Sequence, residues 1–208
     1  MPKVENLTKQ EVENIQIDEG LVFVDYGETT EMRVAPTRGG GEFVATATIR
    51  NIEFDGRRGA TAGTQVIDEQ DANLNVTSIC ASQTTLALAF PGATVETEGA
   101  IKNPRCGVIP ETAYRKNVTM FARLLNGKYK KITIYNPMSE GGLTVRAVPK
   151  GEGEYALALK AHYKTDALNG DLWKVEDVDD FTVGGNTTTQ LQPQPNNITR
   201  EVKTNDHS

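Results

Sequence analysis

The side chains whose types could do chemistry are few: His162 and His207, Cys80 and Cys106, and the acidic run from Glu176 to Asp180. Two histidines so far apart make no histidine-rich metal centre. His162 shares the polar face of a strand pattern with Lys160 and Lys164, the setting of a surface or interface histidine rather than of a general base. Glu176, Asp177, Asp179 and Asp180 lack the spacing and turn glycine of a calcium loop and are read as a solvated acidic face. Cys80 and Cys106 are too widely spaced for a metal knuckle or a redox pair, and both are expected as free thiols in a reducing compartment. Gly39, Gly40 and Gly41 lack the Lys-Ser or Lys-Thr of a phosphate loop and lead into a strand rather than a helix. No Ser, His and Asp occur in a motif that supports nucleophilic catalysis. The basic stretch Lys128, Tyr129, Lys130 and Lys131 carries one aromatic, too few for a single-strand nucleic-acid platform. The expectation is a protein that is not an enzyme and holds no cofactor and no metal.

The elements that would position these residues are mostly strands. Leu21 to Tyr26 is apolar on both faces, and Met32 to Ala35 runs as far as Pro36. Phe43, Ala45, Ala47 and Ile49 alternate with Thr46, Thr48 and Arg50, so one face of that strand is expected to be dry. The phase changes near Arg50 and Asn51, which implies a bulge or a change of sheet. Asp55 to Asn73 reads as a long charged loop and Leu74 to Ile79 as the next strand. Ser82 can cap a short helix bearing Leu86, Ala89 and Phe90, ended by Pro91-Gly92. Val118 to Leu125 and Lys128 to Tyr135 flank Asn126-Gly127, the pair suited to a type I′ hairpin turn. Met120, Ala122 and Leu124 on the outgoing strand are opposed by Phe121 and Leu125, so that one face could serve the fold and the other a neighbour. Leu143, Val145 and Ala147 suggest a strand, Tyr155 to Lys164 the longest regular one, and Trp173 to Val178 a short last one. The fold class is therefore mainly β, a β-sandwich or partly closed β-barrel with one short flanking α-helix and a long inter-strand loop. The chain divides into an N-terminal arm over 1–19, a β domain over 20–181 and a polar tail over 182–208.

Composition narrows the partners. The chain has 208 residues, enough for one substantial core, and a net charge of −6 that argues against a generally DNA-binding surface. The charge is segregated: residues 1–31 carry two lysines against eight acids, residues 165–181 one lysine against six acids, and residues 102–132 eight basic residues against Glu111 alone. Opposite signs held apart in this way could set the register between copies of a self-associating protein. No signal peptide and no membrane-length apolar run is evident, so membrane insertion and secretion are not expected.

In the order of these elements, the early strand 21–26, Gly39 to Gly41 with strand 42–54, loop 55–73, strand 74–79, the short helix and the later hairpin, the chain resembles the tail tube, or major tail, proteins of long-tailed bacteriophages. The inner tubes of contractile injection systems share that fold family. The resemblance covers residues 20–175 and rests on organisation rather than on a diagnostic motif. It implies hexameric rings that stack into a tube through which phage DNA passes without specific binding, made in the bacterial cytoplasm and ending in the virion tail. It implies a tail terminator, a tape measure protein and baseplate or distal tail proteins as partners. Carried onto this sequence, loop residues Arg57, Arg58, Asp68, Glu69 and Asp71 would contact an adjacent subunit or ring. Thr46, Thr48 and Arg50 would face the lumen, and Lys128, Lys130 and Lys131 would form an interface hairpin. Lys160 and Lys164 depart from the negative lumen of that family. The alternative is a virion decoration or carbohydrate-binding sandwich, which would gather Tyr155, Tyr163 and Trp173 into a concave aromatic patch.

Overall fold

A computed structural model describes residues 7–17, 20–56, 58–146, 149–167 and 170–183. Along the chain these form α1 (Lys9–Glu13), β1 (Leu21–Val24), β2 (Met32–Val34), β3 (Thr37–Asn51), β4 (Gln65–Ser78), α2 (Gln83–Leu88), β5 (Thr94–Val95), β6 (Ile101–Lys102), β7 (Asn117–Arg123), β8 (Tyr129–Tyr135), β9 (Met138–Ser139), β10 (Tyr155–Lys160) and β11 (Trp173–Val178). Two antiparallel sheets carry the fold, one in the order β11-β8-β7-β1-β2 and the other β3-β4-β10-β9, with β5 and β6 a separate ribbon. Among the described residues no sheet closes into a barrel. Val22, Val24, Val118, Met120 and Ile134 from the first sheet meet Leu74, Val76, Leu157 and Leu159 from the second in one buried cluster, the arrangement of a sandwich.

Local chemistry explains the ends of elements. Ser82 caps α2 by accepting a 3.2 Å hydrogen bond from the Thr85 amide, as its sequence position predicts. The buried face differs from the expected stripe: Thr85, Ala87, Leu88 and Ala89 are buried while Phe90 is exposed. A helix of fewer than two turns is oriented by its attachments, and the Thr85 hydroxyl can go inside because Ser82 Oγ lies 2.8 Å from it. The Thr8-Lys9-Gln10-Glu11 stretch is a capping box that starts a further short helix, α1, inside the expected N-terminal arm. At the β7–β8 turn only Gly127 has a positive φ, and its amide donates to Leu124 O at 3.0 Å. Leu124 and Lys128 close a three-residue loop, so the turn is type I followed by a glycine bulge, not type I′.

Two expected strands move. The described residues Leu143 to Arg146 are not a strand, and Met138–Ser139 pairs with β10 instead. Tyr155–Lys160 is shorter than predicted, with Tyr155, Leu157 and Leu159 pointing inward. The second apolar face of β1 and β7 is covered by the chain itself. Phe181 stacks on Phe121 with ring centroids 4.3 Å apart, and Phe23, Tyr26 and Tyr129 complete the cluster.

Candidate functional site

The largest departure from the sequence expectation is at Asp55 to Asn73. Most of that segment is strand: β4 starts at Gln65 and pairs with β3 as far out as Asn51↔Gln65, so the two form one long hairpin with a connection over 52–64. Polarity hid it, because Asp68, Glu69, Gln70 and Asp71 look like a solvated loop when no buried partner is visible in the sequence.

The hairpin runs out of the sandwich. Near its base, Gly40 lies beside Gly20, Gly41 against Met120, and Phe43 packs on Trp173 with ring centroids 5.6 Å apart. A Cβ at Gly41 would stand 2.6 Å from Met120 Sδ, so the Met120 thioether would have to shift to admit one. From Ala45↔Ala72 out to Arg50↔Val66 the β3 side chains are exposed on both faces. The face predicted to be dry is therefore bare in the single chain beyond Phe43: Ala45, Ala47 and Ile49 are uncovered, and Ile67 opposite Ile49 is uncovered too. A register shift between Thr48 and Ile49 gives β4 the extra residue, Asp68, so the bulge lies on the partner strand and slightly before Arg50.

The opposite face of the hairpin is polar and gathers most of the residues predicted to act. Thr46 pairs with Asp71 and Thr48 with Glu69. Arg50 grips Asp68 in a two-pronged contact, Nε to Oδ2 at 2.9 Å and Nη2 to Oδ1 at 3.2 Å. Asp71 accepts from Lys160 Nζ at 3.2 Å, and Glu140 stands 3.4 Å from the same ammonium. The hydrogen bond to Asp71 raises the Lys160 pKa, with Glu140 adding to it. Arg58 is exposed at the hairpin tip, and Arg57 lies outside the described residues.

The segregated charges meet within one chain. Lys128 pairs with Asp179 at 2.7 Å, Lys130 with Asp177, and Lys131 with Glu176 at 2.9 Å, fastening β11 to β8 in the register of the ladder. Hydrogen bonds from Lys174 and then Lys131 hold the Glu176 carboxyl down at about 2. In the same way Arg115 lies 3.7 Å from Asp25, and Lys116 pairs with Glu28. The acidic segments thus find the basic one inside the subunit, a pairing that strand order in sequence does not disclose.

The remaining candidates fall apart as sites. His162 is half-buried with Nδ1 3.3 Å from Asn136 O and Nε2 3.3 Å from Glu140 Oε1, beside an open cleft of about 1190 Å³ also lined by Tyr114, Tyr135 and Tyr163. Tyr155 is buried in the core and Trp173 packs on Phe43, so the three aromatics of the alternative reading occupy three different places. Cys80 and Cys106 are free. His207 lies outside the described residues. Among the described residues no three His, Cys, Asp or Glu side chains gather as a metal site, and no helix is long and apolar enough to cross a membrane.

No family model and no curated protein matches the chain. Among solved structures it has a weak structural match to a chain from the virion of a native gene transfer agent particle, with 12% identity and a TM-score of 0.34, covering 70% of this chain and 92% of that one. A likeness of that size fixes neither fold nor function.

Proposed function

We propose that this protein is a structural virion subunit that polymerises as stacked hexameric rings into a phage tail tube, the conduit for genome delivery. The observation that carries this reading is the β3–β4 hairpin, which extends past the sandwich with one apolar face bare. A monomer gains nothing from exposing such a face, whereas a subunit covers it against its neighbours. The long free edge of β3 has the same logic, because an unpaired strand edge invites pairing with another chain.

The polar face suits a channel wall. Thr46, Thr48 and Arg50 would face the lumen, with Arg50 neutralised by Asp68 and Lys160 by Asp71 and Glu140. Glu69 adds a negative charge with no ion pair among the described residues, so a passing DNA polyanion meets no net positive stripe. Arg58, Asp68, Glu69 and Asp71 then sit on the element that contacts adjacent copies. Lys128, Lys130 and Lys131 would stiffen each subunit by holding β11 in place. The tail terminator, tape measure and distal tail or baseplate proteins would be the further partners, and the virion tail the final location.

Negative-stain microscopy of the purified protein at high concentration tests the proposal. Hollow tubes or stacked rings of constant diameter are expected; particles that stay monomeric at every concentration would overturn it.

A further inference from the structure

The cleft of about 1190 Å³ opens where the residues leading into β7 meet the segments that follow β8 and β10. It gathers aromatic side chains that sequence spacing keeps apart: Tyr114, Tyr135 and Tyr163 all line it, a different trio from the one the aromatic pattern suggested. Backbone hydrogen bonds tie its segments together. The Arg115 amide donates to Pro137 O at 2.9 Å, the Asn136 amide to Lys116 O at 3.1 Å, the His162 amide to Tyr135 O at 3.2 Å and the Tyr135 amide to Leu172 O at 3.1 Å. Asn136 takes a left-handed φ of 47°, which asparagine accepts more readily than most residues, and its Nδ2 donates to His162 O at 3.0 Å. Beside that bond the Tyr114 ring meets the His162 ring edge-on, with centroids 5.1 Å apart. The aromatic wall is thus in place before any ligand arrives, which lowers the entropy lost on binding.

We propose that this cleft binds a short neutral oligosaccharide. Charge sets an anionic ligand aside. Lys116 is paired with Glu28 and Arg115 lies against Asp25, so neither is free for a phosphate or a carboxylate. Among the described residues Glu111, Asp166, Asp171 and Lys164 have no ion pair, and all four are exposed along the cleft. Their charges are screened by salt and mixed in sign, with Lys164 on the same segment as Asp166, so the rim works chiefly as a set of hydrogen-bonding groups. A purely apolar ligand would strip water from them and return nothing. Sugar hydroxyls replace those hydrogen bonds, and the C–H faces of a pyranose ring suit tyrosine, which is apolar along its body and polar at its tip. The volume exceeds the roughly 300–1,000 Å³ of a pocket for one drug-sized molecule, which favours linked rings over a single sugar. None of these residues lies on the hairpin arm, so the proposal stands apart from the assembly reading.

The test uses the full-length protein, fluorescently labelled, on a microarray of neutral hexose and N-acetylhexosamine oligosaccharides, with sialylated glycans and a lysine-rich peptide printed beside them. Binding to one or more neutral glycans is expected, and calorimetry with that glycan in solution should show it weakened about tenfold by Tyr163→Ala. Tyr163 is 38% exposed, so its truncation leaves the core untouched. Asp166→Ala, also at an exposed position, is the second variant should Tyr163→Ala lose its native circular dichroism. No binding to any neutral glycan would overturn the proposal. Binding that neither variant weakens would overturn the cleft as its site, and binding confined to the sialylated glycans or to the peptide would overturn the neutral ligand.

Discussion

Ile49 and Ile67 stand directly opposite each other across the β3–β4 ladder, and they are 55% and 54% exposed. Leu74, on the same strand and the same face, is completely buried. One face of one hairpin thus passes from core to solvent and stays apolar on β3 through Ala45, Ala47 and Ile49, with Gln70 the polar residue facing Ala47 on β4, and the solvent half is where stability and assembly should separate.

That separation can be measured. Ile67→Asp should cost the isolated subunit less than about 1 kcal/mol, because it loses only a cross-strand pair at an exposed position. Leu74→Ala should cost about 2–5 kcal/mol by leaving a cavity between the sheets. Urea denaturation of both variants, beside sedimentation, should show Ile67→Asp folded but unable to associate.

Phe181 should matter to stability more than its place near the polar C-terminal stretch suggests. It stacks on Phe121 and touches Phe23 and Tyr129, closing the outer face of the first sheet. Phe181→Ala should lower stability by about 1–3 kcal/mol, less than a fully buried phenylalanine would cost, with a matching fall in Tm.

Acid should loosen β11 before the core. The folded-state pKa of Glu176 is depressed to about 2 from an ordinary 4.5, so its contribution is fully present above the ordinary value and is lost as pH falls toward the depressed one. Trp173 is the one tryptophan of the chain and lies on the same strand. Its fluorescence should shift between about pH 4.5 and pH 2, and Glu176→Gln should remove that part of the pH dependence.

Gly41 should accept a side chain only at the expense of moving Met120. Gly41→Ala puts a Cβ against Met120 Sδ and should destabilise by about 1–3 kcal/mol. Met120→Ala, costly alone, should cost less in the Gly41→Ala background, and a double-mutant cycle by thermal melting would measure the coupling.

Much of the fold was legible where burial leaves a periodic trace. The alternation of Tyr155, Leu157 and Leu159, the apolar runs of β1 and β7 and the Ser82 cap all appear where their side-chain chemistry places them. The hairpin arm was legible only in its first half. Phe43 to Ile49 alternate as a strand should, but Asp68 to Asp71 are four polar residues in a row that fall on both faces of β4 with no alternation to mark a strand, so residue type alone suggested a loop. Ion pairs were the least legible feature. Lys128, Lys130 and Lys131 could have answered any acidic surface, and only the antiparallel pairing of β8 with β11 brings Asp179, Asp177 and Glu176 to them. The expected neighbour-facing side of β7 was likewise claimed by Phe181, whose position beyond β11 carries no local signal.

The role of the hairpin in assembly is tested most directly by shortening it. Replacing residues 48–69 with Asn-Gly joins Ala47 to Gln70, an existing ladder pair, through a two-residue turn and leaves the buried half of the sheet in place. Electron microscopy of this variant beside the unaltered protein should show tubes only for the latter, while circular dichroism shows both folded. Tubes of normal length from the shortened chain would contradict the account.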